Sequence, residues 1–187
     1  MEVIMTVNRG SEFRKWDLHI HSPYTILNNN FEHLADGSPD IEQFIKKLKD
    51  EGISAVGLTN YFNFKDEDFI LKDKLNSAGI VAFLNLEVRL TNTNNSNQFF
   101  DYHVIFDNSI ENQIIKNLAN LKAKIGNTDK SFNRLTKSEI DNSASVPFNS
   151  LISTLEGDEE LNGRYLKGFL SRGHGNARVK ISSIYED

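Results

Sequence analysis

The chain contains no cysteine, which excludes disulfide frameworks, thiolate metal sites and cysteine nucleophiles, and points to a reducing cytoplasm as its compartment. No stretch approaches the ~18 to 20 consecutive apolar residues of a membrane span. The opening "MEVIMTVNRGSEFRKW" lacks the basic-then-apolar order of a signal peptide. Positive charge is not in excess: the net charge of −5 argues against a nucleic-acid coat, though it leaves room for a local basic groove. No G-x-x-x-x-G-K-[ST] phosphate loop occurs. No internal repeat or long linker divides the chain, so residues 1–187 are expected to form a single domain.

What is present is a soluble globular composition, 39% apolar and 25% charged with 13 Phe, enough for a core that needs no staples. Strand-like and helix-like segments alternate. "KWDLHIH" alternates apolar and polar residues and predicts a strand. "SPDIEQFIKKLKDEG" predicts a helix, with Ser38 to cap, Pro39 in the first turn and Gly52 at the exit. Its Ile41, Phe44, Ile45 and Leu48 form one apolar face. "ISAVGLT" reads as a strand covered on both faces, and "DEDFILKDKLNSAG" as a second helix ending at Gly79. "IVAFLNLEVRLT" and "FFDYHVIFD" read as further strands separated by the polar loop "NTNNSNQ". "SIENQIIKNLANLKAKIG" predicts a third helix through Ile110, Ile114, Leu118, Leu121 and Ile125. The end of the chain gives a helix from "FNSLIS" and strands in "RYLKGFLS" and "ARVKISSIYED". This alternation argues for an α/β fold with a mainly parallel sheet and a site at the carboxyl ends of the strands.

Asp17, His19 and His21 occupy every second position, so a regular strand places them on one face and Trp16, Leu18 and Ile20 on the other. Two imidazoles ~6.5 Å apart along a strand can converge on one cation, with Asp17 orienting a ring from behind. The competing reading is a half-exposed strand with a polar outer side. Glu87 in "LNLEVRL" and His103 in "DYHVIF" sit on later strands. Alone, Glu87 reads as a solvated charge and His103 as a core histidine. Together with the pair they form a set suited to zinc, manganese or iron. Lys46, Lys47 and Lys49 read as a solvated face that suits the helix dipole, and His33 as a surface loop residue.

With these residues in hand, the chain resembles the PHP family, named for polymerase and histidinol phosphatase. The family opens on D-x-H-x-H followed by Ser or Thr, matched by Asp17, His19, His21 and Ser22; its later glutamate and histidine are matched by Glu87 and His103. The resemblance implies a distorted, TIM-like β/α barrel whose divalent metal ions, manganese, zinc or iron, hydrolyse phosphoesters. The segment "NRGSEFRKWDLHIHSP" is similar to the PHP modules that open large TrlF-like ATPases linked to phage defence, which implies an ATPase as partner.

Two departures stand against this pattern. Most family members carry Thr-Asp-His after the second strand, where this chain has Thr59-Asn60-Tyr61. The family also draws ligands from its last strands, and here only His174 in "SRGHGNAR" remains to serve. The alternative for His174 is a solvent loop made flexible by Gly173 and Gly175. Arg172 and Arg178 in the same loop are candidate phosphate binders. The expected function is a metal-dependent phosphoesterase acting on nucleic acid or a nucleotide, with Asp17, Asn60 and Tyr61 at the catalytic positions. A different class is a PHP-derived module without catalysis, serving as a sensor or assembly platform; a third is an unrelated α/β domain with a chance H-x-H. Typical β/α barrels run to ~250 residues, so the barrel is expected to be incomplete and its open edge to favour self-association or a partner chain.

Overall fold

The computed structural model describes residues 14–28, 30–93, 99–171 and 180–182. Strands β1 (Lys15–His21), β2 (Ile53–Tyr61) and β3 (Val81–Thr93) lie side by side in parallel, joined by helices α1 (Ile41–Asp50) and α2 (Asp66–Ser77). α1 starts where the Asp40 carboxylate accepts the Gln43 amide at 3.0 Å. Asp40 rather than Ser38 is the cap, because Asp36 already engages the amide and hydroxyl of Ser38 at 2.9 and 2.6 Å. The helix buries Phe44 and Leu48, and the chain leaves through Gly52 at φ 69°, a left-handed turn that glycine makes without steric cost.

The mainly parallel sheet expected from the alternation does not form. Only residues 94–98 separate β3 from β4 (Phe99–Phe106), and a parallel return needs a crossover of about a dozen residues or more. β4 therefore runs antiparallel to β3, β7 (Tyr165–Ser171) antiparallel to β4, and β8 (Lys180–Ser182) antiparallel to β7. The sheet has the order β1-β2-β3-β4-β7-β8, with antiparallel pairs in the majority. Among the described residues β1 and β8 are its two edges, so the sheet stays open and closes no TIM-like barrel.

The third helix is also shorter than expected. α3 covers Asn112–Asn117 and tightens into a 3-10 turn over Leu118–Asn120. Lys122–Ile125 then forms β5, which pairs with β6 (Thr128–Ser131) across a two-residue turn at Gly126-Asn127. Gly126 takes φ 58° there, and a short glycine-asparagine turn between alternating residues favours a hairpin over a continuing helix. Helices α4 (Lys137–Asn142) and α5 (Phe148–Gly157) complete the fold. Among the described residues, no helix is long and apolar enough to cross a membrane.

Side-chain alternation divides the central strands sharply. Even-numbered Val56, Leu58, Leu84, Leu86, Val88, Tyr102 and Val104 are buried in the apolar core, with Phe44, Leu48, Leu71 and Leu75 of α1 and α2 packed into its first half. Odd-numbered Thr59, Asn85, Glu87, Arg89, Asp101 and His103 are buried as well, yet polar. Burying that many polar groups on one sheet face is costly unless they meet partners or a ligand. That face carries the candidate site.

Candidate metal centre

The site begins with an irregularity in β1. Asp17 pairs with Val56 and Ile20 with Leu58, so β1 takes three steps where β2 takes two. This bulge turns the strand. Trp16 pairs with Ala55 and His21 with Thr59, residues of one β2 face, so Trp16 joins the histidine side of the sheet instead of opposing it. Trp16 and Leu18 accordingly line a cavity with Phe83 and Ile105. Asp17 is set on the other side, where its carboxylate accepts the His19 backbone amide at 3.1 Å. The expected role of Asp17, orienting an imidazole ring, is replaced by one in shaping the strand.

The bulge needs Gly57. A Cβ at that position would sit 2.2 Å from the Leu18 carbonyl oxygen, so only glycine lets β1 pass this close. The same carbonyl accepts the Asn85 amide at 2.8 Å, and Thr59 Oγ1 lies 3.0 Å from the same amide nitrogen. With its NH2 group committed, Asn85 turns Oδ1 towards His103 Nδ1, 3.1 Å away. His103 is thus held with its proton on Nδ1 and a lone pair on Nε2. That Nε2 is buried and has no hydrogen-bond partner among the described residues.

His19, His21 and Glu87 each offer a ligand atom, all within 4.8 Å of one another. His19 Nε2 lies 3.3 Å and His21 Nε2 3.9 Å from Glu87 Oε2. The His19 approach is a loosely aligned ion pair rather than a well-formed hydrogen bond, and buried His21 Nδ1 has no hydrogen-bond partner among the described residues. The His103 ring stands behind, 4.5 Å from that of His19. Glu87 forms the floor at 5% side-chain exposure, while His19 at 35% opens to solvent.

Charge follows this layering. Burial disfavours the Glu87 carboxylate, but the surrounding histidines outweigh it and hold its pKa below the usual range. Burial likewise opposes the His19 cation, and the adjacent carboxylate reverses that and raises its pKa. His21 is lowered by burial, with Glu87 opposing. His103 is pushed down to about 4, chiefly by burial. Burial thus favours the neutral imidazole that a cation requires at His21 and His103, whereas His19, raised by Glu87, would release its proton as a metal binds. A buried Glu87 carboxylate held only by a loose histidine contact, and a His103 Nε2 without a hydrogen-bond partner among the described residues, fit a bound metal ion.

Tyr61 and Asn60 part company. Tyr61, opposite Glu87 in the sheet register, stacks on the His21 ring at 5.0 Å and brings Oη within 3.4 Å of His21 Nε2. Asn60 falls on the reverse face, beside the Asp68 carboxylate. Asp68 is fully buried. It accepts the Ser22 hydroxyl and, at 2.7 Å, the Lys65 amide, which ties the turn after β1 to the start of α2. Burial pushes its pKa up, against these hydrogen bonds.

Of the residues singled out in the sequence, His19, His21, Glu87, His103 and Tyr61 meet at one place. Asp17 and Asn60 do not join them. His174, Arg172 and Arg178 lie outside the described residues. Asn85, Gly57 and Asn28, whose amide donates to Tyr61 Oη at 2.7 Å, belong to the site and were missed. Asn85 was within reach of the period-two rule, being two residues before Glu87 on the same strand face. Gly57 acts through a close backbone approach and Asn28 through a side chain brought in from a distant loop, and no residue pattern announces either. Comparisons with protein-family models, curated proteins and solved structures find no match to this chain.

Proposed function

We propose that the chain binds a divalent transition metal through His19, His21 and Glu87, with His103 Nε2 behind them, and uses it to hydrolyse phosphoesters of nucleic acid or nucleotide type. The observation that carries this reading is the convergence of the His19, His21 and Glu87 ligand atoms within 4.8 Å, beside a buried His103 Nε2 that has no hydrogen-bond partner among the described residues. The resemblance of Asp17 to Ser22 to the PHP opening motif supports the reaction class, at the level of these residues and not of the sheet. A divalent cation supplies Lewis acidity towards a phosphoryl oxygen. Glu87 contributes the fixed negative charge that holds it, His19 leaves the mouth open to substrate, and Asn85 fixes the His103 tautomer. The test is manganese-dependent cleavage of bis-p-nitrophenyl phosphate, DNA and RNA by the purified chain. Cleavage lost in Glu87→Ala supports the reading, and metal-loaded protein inert towards all three contradicts it.

A second reading, a metal-binding module without hydrolysis, is favoured by Asn60 turning away and Tyr61 closing over His21. These leave donors grouped around a single cation, whereas an in-line phosphoryl clamp commonly uses two. Metal bound stoichiometrically with no turnover is the outcome it expects.

A further inference from the structure

We infer that Tyr61 is a fourth metal donor and that the site, so completed, selects ferric iron. The inference rests on the reading above that these side chains hold a transition metal, and departs from it in the charge of the occupant.

Three of the distances between these donor atoms match those of a coordination shell. Four donors in a tetrahedron at ~2.1 Å from a first-row metal lie roughly 3.4 Å from one another. His19 Nε2 to Glu87 Oε2 is 3.3 Å, His21 Nε2 to Glu87 Oε2 is 3.9 Å, and His21 Nε2 to Tyr61 Oη is 3.4 Å. His21 Nε2 is therefore one corner and Tyr61 Oη another, from the strand position directly beside Glu87. A 3.4 Å contact is long for a hydrogen bond between a hydroxyl and an imidazole nitrogen, but ordinary for two ligands of one ion.

The surroundings of Oη suit an anion. Asn28 directs its amide at Oη from 2.7 Å, a donor that stabilises phenolate oxygen more than a neutral hydroxyl. Asn28 holds that position with φ at 57°, a left-handed conformation that asparagine tolerates better than most residues. Tyr61 is only 9% exposed, so little water competes for the oxygen. On coordination the hydroxyl releases its proton to solvent and the oxygen lone pair goes to the metal. Phenolate and carboxylate together place two anionic oxygens beside two imidazoles, and Coulomb attraction then favours a trivalent ion over a divalent one.

The experiment loads the full chain with ferric nitrilotriacetate, desalts it, and records iron content and the visible spectrum together. Stoichiometric iron with a strong phenolate-to-iron charge-transfer band is expected, along with tyrosinate ring vibrations in the resonance Raman spectrum of the wild-type protein. Tyr61→Phe should keep iron and lose the band completely, while His19→Ala/His21→Ala should lose both. Bound iron without the band, or a band that survives Tyr61→Phe, overturns the inference and leaves the metal reading intact. Failure to take ferric iron, with zinc or manganese bound instead, does the same. A chain that binds none of these ions defeats both.

Discussion

His103 Nδ1 lies 3.1 Å from Asn85 Oδ1, and this one contact decides which nitrogen of a buried imidazole remains open. Asn85 can present only its oxygen, because its amide nitrogen is spent on the Leu18 carbonyl and Thr59. The open His103 nitrogen belongs to a ring packed 4.5 Å from that of His19. A backbone bulge in the first strand is thereby linked to the electronic state of a ring on the fourth.

Replacing Asn85 with alanine removes the tether and frees the ring to turn. Partners of this kind are worth about 10- to 100-fold in metal affinity, so Asn85→Ala should weaken zinc or manganese binding by that factor in a chelator competition. Affinity within twofold of wild type would show that His103 takes no part in the site.

Gly57→Ala should destabilise the fold and disturb the site together. Its Cβ meets backbone atoms of Leu18, which cannot swing aside as a side chain would. Overpacking of this sort costs about 1 to 3 kcal/mol, read as a lowered urea midpoint. Because the Leu18 carbonyl is also the anchor for Asn85, metal affinity should fall with stability. A variant equally stable and equally tight would contradict the bulge geometry.

Acid should unfold the metal-free protein partly through His103. Its pKa falls from 6.5 to about 4 on folding, mainly because burial disfavours the cation. Between those values the unfolded chain binds more protons than the folded one, so stability is lost as the pH falls through that window. The shift corresponds to an upper limit of about 3 kcal/mol. Urea unfolding in chelator at pH 7 and pH 4.5 should show the loss, and His103→Gln should reduce it. An unchanged acid loss in that variant would assign the effect to other groups.

Much of this architecture was legible in the sequence, and the losses have identifiable causes. β1, α1, β2 and α2 follow from periodicity and caps, since local patterning dominates where a strand or helix is long and regular. The direction of β4 did not follow, although the brevity of residues 94–98 already forbade a parallel return. The β5–β6 hairpin was hidden because Leu121 and Ile125 also satisfy helical spacing, and Gly126-Asn127 was the discriminating signal. At the site, His19, His21, Glu87 and His103 were found from residue type and strand position. Asp17 was misplaced because alternation assumes an unbroken register, and the bulge between Asp17 and Ile20 breaks it. Asn60 was read from its neighbours in a motif, when strand alternation alone sends it to the face opposite Tyr61.

The most direct measurement is the metal content of the purified chain, taken without chelator and again after dialysis against manganese, zinc or iron salts. Stoichiometric metal in the wild type and none in His19→Ala/His21→Ala, with both proteins giving the same circular dichroism, is the expected result. A folded wild-type chain that carries no metal and acquires none from any of these salts would contradict the metal centre itself.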